Sequence, residues 1–153
     1  MIRRATPDDA ATLHALTQRS AMYWGYEPEF LDWDPEAIAV TPEFIRDSVT
    51  YVLEEGECVV GYYALVGEPP DVSLDKLFVD TDLIGTGRGK RLWLHAIETA
   101  RAMGAVELTF AADPNAAPFY RAMGAEWLRE EATTRPGWNL QMFRFPLGDN
   151  LNS

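Results

Sequence analysis

Apolar and polar positions follow two rhythms along this chain, one helical and one alternating. From Arg91 onward Leu92, Trp93, Ala96, Ile97, Ala100 and Met103 fall on one helical face, and Arg91, His95, Glu98 and Arg101 on the other. That spacing predicts an amphipathic helix packed on a sheet. Two more helices open with threonine followed by proline at the first helical position. Thr6-Pro7 starts one running to about Ser20, and Thr41-Pro42 starts one over Glu43 to Ser48. A fourth covers Pro114 to Met123. Strand patterns occupy Ile2 to Ala5, Tyr51 to Leu53, the run CVVGYYALVG from Cys58, Val72 to Val79, Val106 to Ala111, Trp127 to Thr133 and Leu140 to Phe145. The order β, α, α, three β, α, β, α, two β describes an α/β domain with a mixed sheet. No linker divides it, so residues 1–147 are expected to form a single domain and 148–153 a C-terminal tail.

The word RAMGA occurs twice, from Arg101 and from Arg121, each time where a helical pattern gives way to a strand. A left-handed glycine closing a helix explains both copies without a domain repeat.

Composition narrows the class. The chain has 153 residues, 47% of them apolar and 24% charged, which suits a globular protein with a sizeable core. Its longest nearly apolar run, Cys58 to Gly67, is far shorter than the roughly 18 residues of a membrane span. With no apolar region behind the two N-terminal arginines, a cytoplasmic location is expected. Cys58 is the single cysteine, cannot form an internal disulfide, and is expected to pack in the core. A formal charge of -11 argues against nucleic-acid partners and permits a cationic substrate. Neither His14, expected on the solvated face of the first helix, nor His95 has a partner pattern suggesting a metal site or a nucleophile relay.

Against that acidity, DLIGTGRGKRL (Asp82 to Leu92) sets three alternating glycines before Arg88, Lys90 and Arg91. Alternating glycines leave backbone N–H groups unshielded, and a helix starting there adds the positive end of its dipole. The run lacks the G-x-G-x-x-G of dinucleotide folds and the Lys-Ser/Thr of the P-loop. A strand, a short loop, a glycine turn and a long helix remain, a geometry that suits a pyrophosphate. A turn with no ligand is the plain alternative.

The surroundings of this turn resemble the GNAT superfamily of acyl-CoA-dependent N-acyltransferases. Leu77-Phe78-Val79 matches the family's strand end, and Gly87 and Gly89 match its Gln/Arg-x-x-Gly-x-Gly/Ala turn. Further on, DPNAAPFYRAMG places Ala116, Phe119, Tyr120 and Gly124 in register with a second family motif. Three positions depart from the pattern: Ile84 where Gln or Arg is usual, Asp113 for the usual Asn with Asn115 two residues later, and Thr81 where Pro is common. The resemblance implies a mixed central sheet of about six to seven strands flanked by about four helices.

It also implies direct attack of an amine on acetyl-CoA, the cosubstrate, with no metal. The family's cofactor site maps onto Leu77, Phe78, Val79, the N–H groups of Gly85, Thr86, Gly87, Arg88, Gly89 and Lys90, the Arg88 and Lys90 charges, and Asp113, Asn115 and Tyr120. By the same resemblance the Val79 N–H faces the oxygen where negative charge develops, and Tyr120 is the general acid for the leaving thiolate. Tyr120 could alternatively be a buried aromatic on an amphipathic helix. The general base is less plain. Ser73 stands where many relatives carry a carboxylate, and Asp75 lies two residues on, on the same strand face and roughly 7 Å along it. Asp75 is the candidate, directly or through water, although pairing with a surface Lys or Arg explains it equally. Glu107 is a poorer choice.

Tyr23 to Glu36 holds five acids and the aromatics Trp24, Tyr26, Phe30 and Trp33, with no Lys or Arg. Its position between the first two helices resembles the family region that closes over the acceptor, and it would suit an ammonium-bearing small molecule by charge and cation–π contact. A solvated acidic loop with its aromatics turned inward is the alternative. Trp138 could line the same pocket or stabilise a homodimer. The leading expectation is therefore an N-acetyltransferase for a small cationic amine, with no nucleic acid or membrane as partner. Its rivals are a protein Lys or N-terminal acetyltransferase and a non-catalytic acyl-CoA-binding module.

Overall fold

The structure is a computed structural model that describes residues 1–23, 40–112, 116–132 and 139–147. Seven strands form one mixed sheet: β1 (Ile2–Arg4), β2 (Val49–Glu55), β3 (Cys58–Val66), β4 (Asp71–Val79), β5 (Glu107–Ala112), β6 (Glu126–Glu131) and β7 (Leu140–Pro146). Their order is β1-β2-β3-β4-β5-β7-β6, so the last strand in sequence inserts between its two predecessors. Four α-helices lie among the described residues: α1 (Ala10–Tyr23), α2 (Pro42–Asp47), α3 (Arg88–Met103) and α4 (Ala117–Ala122). This is the mixed α/β architecture expected from the alternation of patterns.

The chain divides into two compact units, Met1–Ala64 with Lys76–Leu94, and Leu65–Asp75 with His95–Ser153. In the first, Leu13 and Leu16 of α1 are fully buried with Val52 and Tyr62, and Ile45 of α2 joins the same core. The Tyr62 and Thr17 hydroxyls share a buried 2.5 Å hydrogen bond, and Thr17 also donates to the Leu13 carbonyl at 2.8 Å. Among the described residues no buried hydroxyl is left without a partner, which is what burial of polar groups requires. Thr41 caps α2 as its Thr-Pro signal predicts, accepting from the Phe44 N–H at 3.0 Å. The Thr6-Pro7 signal instead opens a 3₁₀ turn, Pro7–Asp9, which runs into α1. Asp9 accepts from the Thr6 N–H at 2.8 Å, and its pairing with Arg3 holds its carboxyl below the usual range.

Gly61 of β3 permits a close approach that no other residue would. A Cβ there would stand 2.9 Å from Leu92 Cδ1 of α3 and 3.0 Å from the Phe78 carbonyl oxygen of β4. The backbone contact cannot rotate away, so Gly61→Ala is expected to destabilise the protein by about 1–3 kcal/mol, read as a lower denaturant midpoint at unchanged slope.

In the second unit, β5 and β7 pair antiparallel over six residues, from Glu107↔Pro146 to Ala112↔Gln141. Phe143 stacks on Phe110 at 5.6 Å, and Leu108 and Phe143 are fully buried. Both RAMGA copies end their helices in the expected way. The N–H of Ala105 returns to the Ala100 carbonyl (3.1 Å) and that of Ala125 to the Tyr120 carbonyl (3.0 Å), with Gly104 and Gly124 at φ 96° and 93°.

Cys58 corrects an expectation: it is exposed. The Val-rich pattern holds, but the fully covered part of β3 is Gly61–Leu65, and Cys58 lies beside the Gly56 turn where that cover has ended. Strand bounds also shift. β5 runs from Glu107 to Ala112, one residue later at each end than the pattern predicts, and the carbonyl of the 58% exposed Val106 just before it accepts from the Leu147 N–H.

Candidate active site

β4 alternates, with Val72, Leu74 and Lys76 buried and Ser73, Asp75, Leu77 and Val79 on the opposite face. Asp75 is exposed, and Leu77, Phe78 and Val79 are half-buried. In the parallel ladder with β5, Asp71, Val72 and Ser73 pair with Glu107, Leu108 and Thr109, and β4 continues six residues further. The Ser73 and Thr109 hydroxyls lie 3.1 Å apart across that ladder. Glu107, the weaker candidate for a base, is engaged by Arg144 at 2.9 Å.

After Val79 the chain makes a 3₁₀ turn over Thr81–Leu83, capped by the Asp80 carboxylate, which accepts from the Thr81 N–H at 2.9 Å. Gly85 and Gly87 follow at φ 83° and 88°, a left-handed conformation that side chains disfavour. A Cβ on either would meet nothing within 4 Å, so the backbone conformation and not crowding demands glycine. The Gly87 carbonyl accepts from the Arg91 N–H at 3.1 Å, placing Gly87 at the N-terminal cap of α3. The N–H groups of Arg88, Gly89 and Lys90 belong to the first helical turn, where the helix itself offers no acceptor.

Tyr120 sits on α4 and is 7% exposed. Its ring lies 4.6 Å from Phe110, 5.1 Å from Phe119 and 6.2 Å from Phe143. The buried-aromatic role is therefore real; a proton-donor role would use the hydroxyl in addition to the ring.

The acetyltransferase (GNAT) family model matches residues 15–125. The chain belongs to that family. As a GNAT acetyltransferase it is an acyltransferase, and solved structures share its fold. A GCN5-related N-acetyltransferase from Rhodopseudomonas palustris is 25% identical with a TM-score of 0.81, covering 95% of this chain and 94% of that one. PaiA N-acetyltransferase from Thermoplasma acidophilum, solved with coenzyme A, is 17% identical with a TM-score of 0.79, covering 95% and 98%. YncA, a putative acetyltransferase from Salmonella typhimurium solved with acetyl-CoA, is 17% identical with a TM-score of 0.71, covering 98% and 95%. A comparison of the sequence with curated proteins finds no match.

Two features of the GNAT glycine turn differ from expectation. The Thr86 N–H donates to the Leu83 carbonyl at 3.3 Å, and the Thr86 hydroxyl donates to the same oxygen. Thr86 therefore closes the turn and does not offer its N–H outward. Arg88 is also committed. Its guanidinium holds both oxygens of Glu55, with Nε 3.0 Å from each and Nη2 2.8 Å from Oε1, which lowers the Glu55 pKa and raises that of Arg88. The groups left to receive an anion are the N–H groups of Gly85, Gly87, Arg88, Gly89 and Lys90, with exposed Lys90 and Arg91 side chains nearby in sequence. Open space over two left-handed glycines at a helix N-terminus fits a diphosphate.

Trp24, Tyr26, Trp33, Trp138, Asp113 and Asn115 lie outside the described residues. His14, expected in solvent, is half-buried and accepts from the Val40 N–H at Nδ1 (3.3 Å), the chain returning there to cover α1. Burial lowers the pKa of His95, which favours the neutral ring. Among the described residues no cluster of His, Cys, Asp and Glu could hold a metal, and no helix is long and apolar enough to cross a membrane. Sequence reasoning missed Glu55, Gly61, Arg19 and Asp80. Asp80 carried a signal, since an aspartate before a short turn is a common cap, whereas the other three act through residues distant in sequence.

Proposed function

We propose that the protein is an N-acetyltransferase that moves the acetyl group of acetyl-CoA to a primary amine of a small cationic molecule by direct attack. The observation that carries this reading is the pair of left-handed glycines opening the sixteen-residue helix α3 just beyond a strand that ends in Leu77-Phe78-Val79. Acetyl-CoA, when bound, supplies an activated thioester. The N–H groups of the turn hold its diphosphate, with the positive end of the α3 dipole and Lys90 adding attraction. Leu77, Phe78 and Val79 line the strand edge followed by the acyl arm, and the family resemblance assigns Asp113 and Asn115 to the cofactor as well.

The Val79 N–H donates to the carbonyl oxygen as an amine lone pair adds to the carbonyl carbon and charge builds there. The amine loses its proton to Asp75, directly or through water. As the C–N bond forms and the C–S bond breaks, the Tyr120 hydroxyl gives its proton to the departing thiolate, and the extra proton on the newly bonded nitrogen passes through water to restore the Tyr120 hydroxyl. Trp24, Tyr26, Trp33 and Trp138 are the residues assigned to acceptor recognition, a role for which aromatic rings in an acidic stretch suit an ammonium group. The family match at 15–125 draws on both compact units, which supports reading 1–147 as one catalytic domain. A net charge of -11 and a lone cysteine suit a cytoplasmic enzyme without a nucleic-acid partner.

The test is thiol release from acetyl-CoA with spermidine, tyramine, free lysine, and peptides bearing a free N-terminus or an internal lysine. Turnover on the small amines, at least about tenfold above the peptides in kcat/KM, is the expected result. Preference for a peptide would make this a protein acetyltransferase. Saturable acetyl-CoA binding without turnover on any acceptor would make it a binding module.

A further inference from the structure

We propose that Arg19 and Asp80 are positioning residues for the Val79 N–H: their ion pair ties helix α1 to the end of β4 and fixes the peptide that polarises the thioester. The inference rests on the reading just given. Asp80 follows Val79 directly and is held on every side. Its N–H donates to the Val60 carbonyl of β3 at 2.8 Å, and its carbonyl accepts from the Leu83 N–H at 2.9 Å. Its carboxylate accepts from the Thr81 N–H (2.9 Å) and from both Nε (3.3 Å) and Nη2 (2.9 Å) of Arg19. One residue thus joins α1, β3 and the turn leading to the glycines. On the other side of Val79, the Phe78–Val79 peptide packs on Gly61, whose added Cβ would stand 3.0 Å from the Phe78 oxygen and 3.5 Å from Val79 Cα.

The Arg19 side chain is 49% exposed, so the pair contributes little to global stability. Its effect is geometric. An oxyanion donor acts over a narrow range of positions, and a misplacement of about 1 Å costs on the order of 100-fold in rate. A fork clamped on the residue after Val79 prevents that shift without touching acetyl-CoA.

Acetyl-CoA labelled with ¹³C at the thioester carbonyl reads the effect without an acceptor. In the wild type the bound carbonyl stretch should fall below its free value. Arg19→Gln and Asp80→Asn should each return about half or more of that shift, with acetyl-CoA affinity kept within about twofold, because the diphosphate site is intact. The double variant should be no worse than either single one, and Arg19→Lys, which keeps one charged donor, should recover part of the shift. A merely structural pair would leave the carbonyl unmoved. Arg19→Gln changes an exposed side chain and retains the Asp80 cap, so it tests the idea even if Asp80→Asn folds poorly. A wild-type shift unchanged in Arg19→Gln overturns this inference alone. A bound wild-type carbonyl at its free frequency removes the Val79 role and the inference with it. No binding of acetyl-CoA by the wild type overturns the proposed function as well.

Discussion

Gly87→Glu should abolish acetyl-CoA binding while leaving the protein folded. Gly87 sits at φ 88°, where a side chain costs about 1–2 kcal/mol, and no atom lies within 4 Å of its missing Cβ. A glutamate there has room to turn its carboxylate onto the N–H groups of the first turn of α3. That placement is favourable with the helix dipole and offsets part of the backbone strain. It also fills the proposed diphosphate site with a competing negative charge. Calorimetric titration should show Kd raised by more than about 100-fold, a loss of about 2.7 kcal/mol or more. Gly87→Ala separates the causes, because it carries the strain without the charge and should weaken binding far less. Equal losses in the two variants would mean that the turn conformation alone decides affinity.

Tyr120→Phe is expected to lower kcat by about 100-fold or more with little change in acetyl-CoA affinity. The substitution keeps the ring that packs at 4.6 Å on Phe110 and at 5.1 Å on Phe119, so the core of the second unit persists. Only the hydroxyl is lost, and with it the proposed proton donor for the departing thiolate. The deficit should shrink for an acyl donor whose leaving thiol is more acidic, since such a thiolate departs without help. Pre-steady-state thiol release with both donors would check this. A uniform deficit across donors would return Tyr120 to a purely structural role.

Much of this architecture was legible because it is local. The period of Leu92, Trp93, Ala96, Ile97 and Ala100 fixes the buried face of α3, and Thr41-Pro42 fixes the start of α2. The glycine turn could be placed between a strand and a helix for the same reason. What escaped depends on partners far along the chain. Arg88 looked like a cation for phosphate because its partner, Glu55, stands thirty-three positions earlier on β2. Arg19 and Asp80 are sixty-one positions apart, and no period links them. Cys58 was misplaced for a related reason: alternation marks a strand but not how far neighbouring elements cover it. The insertion of β7 between β5 and β6 is likewise a choice of pairing, open to any strand of suitable pattern.

The pairing of Arg88 with Glu55 leaves the proposed diphosphate site made chiefly of main chain. Every amino acid except proline brings the same N–H, so such a site has many neutral neighbours in sequence space. Its side chains can drift while the backbone shape survives, and an isoleucine can stand at position 84, where the family uses a polar group. Mutational fragility is then concentrated in the two left-handed glycines, and the residues around them stay free to vary for other ends.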